Sequence, residues 1–136
     1  MTVIFDTSVA LALYDSGEPD HEAVVEWLLT LDEDLVTTPL PLAEMDHMLQ
    51  ARGGRAVREV LWRDLADSAY DVRWWADALN ETVVIARRYP FAGLADASLV
   101  ALSRRLRTNR IATLDQHFRS MTTPGGEGFV VLPADA

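Results

Sequence analysis

The sequence predicts an α/β domain with a mainly parallel central sheet of four or five strands and helices on both faces. Short apolar runs, typical of buried parallel strands, recur along the chain. Longer segments with apolar residues at helical spacing lie between them, and turn residues separate the two kinds of segment. We find no linker, repeat or low-complexity stretch in the 136 residues. Residues 1–136 are therefore expected to form a single domain.

The first half of the chain predicts two strands, each followed by helices. Apolar runs at 3–5 and 35–37 have the length and composition of buried strands. The helices carry apolar residues every three or four positions, and they lie at 8–14, 20–31, 39–51 and 55–68. Pro39 suits the first turn of the third helix, and Gly53-Gly54 ends that helix.

The second half continues the alternation of strands and helices. Tyr89-Pro90-Phe91 breaks one helix, and Gly93 opens the next. The predicted strands lie at 70–74, 110–113 and 129–132. The predicted helices lie at 76–88 and 94–106, and a short helical turn lies at 115–119. This order favours parallel strands joined by helical crossovers.

Composition limits the function classes. The chain has no cysteine, which excludes disulfides, thiolate zinc sites and cysteine nucleophiles. No apolar run approaches the roughly 18 residues of a membrane span, and the first 13 residues lack the features of a signal peptide. We therefore expect a soluble cytoplasmic protein with no membrane partner.

Charge is unevenly distributed along the chain. Residues 1–51 hold eleven acids and no arginine, whereas 52–136 hold ten acids and all twelve arginines; lysine is absent, and the net charge is −9. An acidic chain is a poor general binder of polyanions, because phosphate contacts supply most non-specific affinity. Two interpretations remain open: a solvated acidic surface, or a set of acids that face one another around metal ions.

Four acids are candidates for such a set: Asp6, Glu44, Asp96 and Asp115. Asp6 and Asp115 closely follow predicted strands, and Glu44 lies early in the helix after the second strand. Asp96 lies in the first turn of a helix, where the helix dipole favours a carboxylate. Functional groups of open parallel sheets gather beyond the carboxyl ends of the strands. Clustered carboxylates raise one another's pKa, and Mg²⁺ or Mn²⁺ removes that cost. Taken singly, Asp6 and Asp115 also suit helix caps or turns, and Glu44 a solvated helix position.

Four segments resemble the motifs of PIN domains, particularly the VapC toxins of type II toxin–antitoxin pairs. They follow one another in the order of that family, at residues 3–9 (VIFDTSV), 41–44 (PLAE), 94–97 (LADA) and 111–118 (IATLDQHF). Each motif is short, but together they run from residue 3 nearly to the final strand. One departure is that the position one helical turn after the third motif, near Leu99 and Val100, is apolar where many relatives carry another acid.

The resemblance implies a Mg²⁺-dependent endoribonuclease, with Mn²⁺ as a possible substitute. Asp6, Glu44, Asp96 and Asp115 would hold one or two ions, which activate water for attack on a phosphodiester. Asp6 and Asp96 would be the primary ligands, and Asp115 would bind directly or through water. Glu44 would bind metal or orient the attacking water; its neighbour Asp46 leaves that assignment open. The departure near Leu99 leaves the number of ions open.

The resemblance also implies partners: RNA, a cognate VapB-type antitoxin seated in a hydrophobic groove, and a second copy in a homodimer. Such an antitoxin often presents an arginine to the acidic site. Four residues are candidates for substrate binding, namely Thr7, Ser8, Arg52 and Arg55, although helix capping and surface ion pairing explain them equally well. Thr113 is a candidate for supporting Asp115 by a hydrogen bond. The arginines around 104–110 could likewise contact RNA phosphates or pair with neighbouring acids.

Two other classes of protein are alternatives to a PIN-type ribonuclease. A phosphoaspartyl protein, either a phosphatase or a receiver-like domain, also places Asp at strand ends beside Mg²⁺. Both usually need a lysine, which this chain lacks, and the phosphatase needs a second Asp where Ser8 stands. The other rival is a non-catalytic PIN-like module that binds RNA or protein. The retention of all four acids argues against it.

Overall fold

A five-stranded parallel sheet forms the centre of the computed structural model, which describes all residues 1–136. The strands are β1 (Thr2–Phe5), β2 (Asp34–Thr37), β3 (Asp71–Val72), β4 (Arg110–Ala112) and β5 (Val130–Leu132). Their order across the sheet is β3-β2-β1-β4-β5, and every adjacent pair is parallel. The predicted fold class is confirmed.

Five helices cover the sheet. They are α1 (Thr7–Tyr14), α2 (His21–Thr30), α3 (Pro39–Ala66), α4 (Ala78–Arg88) and α5 (Gly93–Leu106). A 3-10 helix follows β4 at Gln116–Ser120. The break that the sequence predicts at Gly53-Gly54 is present inside the span of α3, where Gly54 has φ 70° and ψ −164°. Glycine tolerates this positive φ, so helical geometry resumes directly after it. None of the helices combines the length and apolar character that a membrane crossing requires.

The third strand is where the predicted bounds were wrong. Residues 70–74 were expected to form it, but β3 contains only Asp71 and Val72, both exposed. It is an edge strand that pairs with β2 alone, through Val36 and Thr37. Because β3 has a neighbouring strand on one side only, few hydrogen bonds are available to keep its flanking residues in the sheet. The other predicted strands agree to within a residue.

The core lies on both faces of the sheet. Along β1, Val3 and Phe5 pack with α1 and α3, whereas Ile4 packs on the opposite face with α5 residues such as Leu99 and Leu102. Successive side chains of a strand point to opposite faces. Because helices bury both faces, the buried residues of β1, Val3 to Phe5, are all apolar instead of alternating with polar residues.

The chain order across the sheet reverses at β1. From β1 the chain proceeds to β2 and β3 on one side, and β4 and β5 lie on the other. In open α/β sheets this switch point leaves a crevice beyond the carboxyl ends of the two diverging strands. The residues that follow β1 and β4 are Asp6 and Thr113. Two of the predicted site segments therefore meet at the switch point.

Candidate active site

Asp6 is a buried carboxylate at the end of β1, with 4% of its surface exposed. It caps α1: its Oδ1 accepts hydrogen bonds from the Ser8 backbone N–H at 3.0 Å and from the Ser8 hydroxyl at 2.6 Å. Its Oδ2 accepts one from the Thr113 hydroxyl at 2.5 Å. Burial raises the pKa of Asp6, and the hydrogen bonds from Ser8 and Thr113 counter that rise because they favour the ionised form.

Asp96 lies in the first turn of α5, where Gly93 opens the helix with φ 79°. Its pKa is raised from 3.8 to about 6, first by burial and then by the negative charges of Asp6 and Asp115. Contacts with His117 lower the pKa of Asp96 but do not offset these effects. The charges of Asp6 and Asp115 therefore both act on Asp96, which places these three candidate acids near one another.

His117 lies between two of these acids. Its Nδ1 is 3.1 Å from Oδ2 of Asp115 and 3.5 Å from Oδ2 of Asp96. Asp115 caps the 3-10 helix by accepting a hydrogen bond from the His117 backbone N–H at 2.9 Å. Ligand atoms of Asp96, Asp115 and His117 all lie within 4.8 Å of one another, so the three side chains could hold one metal ion.

The start of α3 packs against the same edge of the sheet. The Thr7 hydroxyl donates to the Pro41 carbonyl at 3.3 Å, and the hydroxyls of Thr38 and Ser98 are 2.7 Å apart. Thr7 adjoins Asp6 in sequence, and Ser98 follows Asp96 by two residues, so these contacts hold the start of α3 against the segments that carry the two acids.

Glu44 lies one turn further along α3, is exposed, and forms no hydrogen bond or ion pair. Asp46 differs: it forms hydrogen bonds with Arg58 at 2.9 and 2.8 Å and with the Trp62 indole N–H at 2.6 Å. The hydrogen bonds from Arg58 hold the pKa of Asp46 below its usual range. Of Glu44 and Asp46, only Glu44 has a side chain without a protein partner and is free to act on a ligand.

The donor set suits a hard divalent cation. Asp6 forms no ion pair, and the only basic side chain near Asp96 and Asp115 is that of His117. Carboxylate oxygens are the ligands that Mg²⁺ and Mn²⁺ prefer. A divalent ion would compensate the mutual repulsion that raises the pKa of Asp96. The residues present therefore fit a divalent metal.

The predicted substrate-binding residues occupy different surroundings. Thr7 is buried, with its hydroxyl bonded to Pro41. The Ser8 hydroxyl donates to Asp6 and accepts from the Leu114 backbone N–H at 2.9 Å. Arg52 pairs with Glu18 and lies 3.5 Å from Asp15, whereas Arg55 is exposed and unpaired. Their substrate role stays a prediction, and for Thr7, Ser8 and Arg52 the structure shows internal partners.

Sequence reasoning assigned Thr113 to Asp115 and gave no site role to His117. The Thr113 hydroxyl does accept a hydrogen bond from the Asp115 backbone N–H at 2.9 Å, but its own proton goes to Asp6. His117 was missed because its contact with Asp96 depends on the packing of α5. The one available signal was its spacing of two residues from Asp115.

Comparison with known proteins shows the family to which the chain belongs. The PIN domain family model matches residues 3–123. Ribonuclease VapC26 of Mycobacterium tuberculosis is 36% identical over 135 residues, which cover 96% of this chain and all of that protein. The chain is a VapC-type PIN domain. The resemblance that the four motifs carry is thereby confirmed. This PIN domain is also 30% identical to ribonuclease VapC29 of M. tuberculosis, over 85% of its length and 86% of that protein.

Solved structures share the fold. M. tuberculosis VapC20, a toxin that cleaves the sarcin-ricin loop, superposes with a TM-score of 0.77 at 18% identity, over 84% of this PIN domain and 90% of that chain. A chain of Rickettsia felis VapBC2, solved with a DNA fragment from its promoter, gives a TM-score of 0.64 at 12% identity over 96% and 97% of the two chains. At these identities the likeness establishes the architecture alone.

Proposed function

We propose that this PIN domain is a divalent-metal-dependent endoribonuclease and the toxin of a VapBC-type pair. The observation that carries the proposal is the convergence of Asp6, Asp96 and Asp115 near the switch point of the sheet, where burial and then the charges of Asp6 and Asp115 raise the pKa of Asp96. The names of its relatives, ribonucleases VapC26 and VapC29, support the same reaction class.

Asp6 and Asp96 are the primary ligands for Mg²⁺ or Mn²⁺ in this proposal, and Asp115 binds directly or through water. When bound, the ion activates water for attack on an RNA phosphodiester and stabilises the departing oxygen. The hydrogen bonds from Thr113 and Ser8 favour the ionised form of Asp6 and fix the orientation of its carboxylate. Glu44, free of protein partners, either joins the ligand set or orients the attacking water.

The proposal includes partners. A VapB-type antitoxin would inhibit the enzyme, and an arginine from it would pair with the acidic site in place of the metal ion. A homodimer is proposed by analogy with the family. Thr7, Ser8, Arg52 and Arg55 remain proposed RNA contacts, of which Arg55 is exposed and unpaired. The enzyme would act in the cytoplasm, where its RNA substrate is found.

The deciding experiment is cleavage of total RNA by the purified protein in Mg²⁺, with Asp6→Asn and Asp96→Asn alongside. Asp46→Asn is the matched control, because Asp46 is also a carboxylate but is paired with Arg58. We expect cleavage by the wild type and by Asp46→Asn, and loss of cleavage in the other two variants. EDTA should abolish cleavage by the two active proteins. Equal activity of all four proteins would show contamination and contradict the mechanism. Antitoxin binding without any cleavage would favour a non-catalytic module.

A further inference from the structure

The arginines of this acidic chain fall into two groups. Five form ion pairs with carboxylates, and these are Arg52, Arg58, Arg73, Arg110 and Arg119. Four of the unpaired ones lie along the groove between α4 and α5: three at the end of α5, beside Glu81 in the first turn of α4, and one at the end of α4. This arginine surface consists of Arg88, Arg104, Arg105 and Arg107, all of which are exposed.

Two adjoining depressions make up the arginine surface. One, of about 340 Å³, lies between α4, α5 and the segment 122–124, and Arg88, Tyr89 and Arg104 line it. The other, of about 590 Å³, is lined by Glu81 and by Arg104, Arg105 and Arg107. Glu81 and Arg104 border both, so the depressions are continuous. Glu81 is the one carboxylate in them.

Neighbouring side chains hold parts of the arginine surface in place. Glu81 accepts a hydrogen bond from the Trp75 indole N–H at 3.0 Å. The Arg105 guanidinium lies 5.4 Å from the centre of the same Trp75 ring, and that of Arg88 lies 5.2 Å from the ring of Tyr89. Stacked guanidinium groups keep their N–H donors available at the edges.

Aromatic rings connect the arginine surface to the carboxylates. The Tyr89 ring lies 6.0 Å from that of Phe91, and the Phe91 ring lies 5.7 Å from that of His117. His117 contacts Asp96 and Asp115. Phe91 is 53% exposed and belongs to neither core cluster, so its ring is accessible from solvent. Along α5, eight residues separate Asp96 from Arg104, a rise of about 12 Å.

We propose that single-stranded RNA extends from the carboxylate site across Phe91 to the arginine surface, where the arginines bind its phosphates. This inference rests on the proposed ribonuclease activity and adds a substrate path to it. Guanidinium groups without carboxylate partners bind phosphate in a bidentate manner, and exposed aromatic rings stack on unpaired bases. Because the net charge of the chain is −9, the protein surface outside the arginine surface repels RNA. Charge complementarity therefore selects this face.

The test compares two double variants that remove the same charge. Arg88→Gln with Arg104→Gln removes two arginines of the arginine surface. The control is Arg63→Gln with Arg73→Gln, since Arg63 lies in α3 and Arg73 directly follows β3. Binding of an unstructured fluorescent RNA oligonucleotide is measured by anisotropy in EDTA, so that no cleavage occurs, at several NaCl concentrations. We expect binding about tenfold weaker in the first variant, and a salt slope smaller by about 1.4, since each lost phosphate contact removes about 0.7 for single strands.

Two further variants sharpen the test. Arg88→Lys with Arg104→Lys keeps the charge and should restore most of the salt slope, which a merely structural role would not predict. Phe91→Ala should weaken binding about fivefold or more without changing the slope, because stacking involves no counterion release. Circular dichroism confirms that each variant is folded.

Cleavage of the same RNA in Mg²⁺, with Asp96→Asn alongside, separates the two proposals. Unchanged RNA binding by Arg88→Gln/Arg104→Gln, while Asp96→Asn loses cleavage, overturns the RNA path and leaves the ribonuclease. Arginine-dependent binding without wild-type cleavage overturns the ribonuclease and supports the path. An equal loss in both double variants overturns the path, because total charge then explains it. Retained RNA binding with lost antitoxin binding also overturns it and assigns the surface to a protein.

Discussion

The Thr113 hydroxyl donates a hydrogen bond to Oδ2 of Asp6, across 107 positions of sequence. The same hydroxyl accepts a hydrogen bond from the Asp115 backbone N–H. One oxygen atom thus joins the end of β1 to the turn after β4. Its hydrogen bond to Asp6 also favours the ionised form of that carboxylate and counters the rise in pKa that burial causes.

Replacing Thr113 by Val should weaken both folding and metal binding. The variant leaves Oδ2 of the buried Asp6 without its donor, which should lower the free energy of unfolding by about 1–2 kcal/mol. Loss of the supporting bond should lower Mn²⁺ affinity roughly tenfold. Denaturant unfolding and titration calorimetry measure the two effects.

Thr108→Val is the matched control for that variant. Thr108 precedes β4, and its hydroxyl donates to the Thr2 carbonyl at 3.0 Å and accepts from the Arg110 N–H at 3.2 Å. It lies at the opposite edge of the sheet, so its loss should affect stability alone. Wild-type Mn²⁺ affinity in Thr113→Val would contradict the assigned role of Thr113.

Mutation should distinguish the roles of Glu44 and Asp46. Glu44→Gln should lower RNA cleavage by about 100-fold, as expected when a group that activates water is lost. Its stability should not change, because the side chain is exposed and unbonded. Asp46→Asn should keep activity and lose up to about 1 kcal/mol of stability through its contacts with Arg58 and Trp62. The opposite result would assign the catalytic role to Asp46.

Divalent metal should stabilise the folded protein. Adding Mn²⁺ at about 100 times its Kd should raise the free energy of unfolding by about 2.7 kcal/mol, because only the folded chain assembles the ligands. Differential scanning fluorimetry should show a higher Tm that EDTA reverses. Asp96→Asn should abolish most of the shift, whereas Asp46→Asn should retain it. An equal shift in Asp96→Asn would place the metal elsewhere.

The metal-free protein should lose stability as the pH rises through 6. The pKa of Asp96 is about 6 in the folded state against 3.8 ordinarily, so the folded chain holds this proton more tightly than the unfolded chain. Its contribution is complete below about pH 4 and is lost above the folded pKa. Between pH 5 and 7.5 in EDTA the free energy of unfolding should fall by roughly 1 kcal/mol.

Two measurements check that pH dependence. Asp96→Asn should flatten the stability profile, because the amide does not titrate. Mn²⁺ affinity should change in the opposite direction and rise from pH 5 to 7.5, since protons compete with metal for the same oxygens. A stability profile that is equally steep in Asp96→Asn would assign the effect to other groups.

The sequence by itself determined the fold class, most element positions and the four candidate acids. These are local properties: apolar runs, helical spacing and short motifs are read from neighbouring residues. The tertiary structure decided which acids meet. It placed His117 between Asp96 and Asp115 and directed the proton of Thr113 to Asp6.

The tertiary structure also separated Glu44 from Asp46, which helical phase alone could not, because the partner Arg58 lies beyond the break in α3. It also made β3 shorter than predicted, because this edge strand pairs with β2 alone. Such contacts depend on the strand order and on how helices pack over the sheet. They join residues far apart in sequence, and no local pattern encodes them.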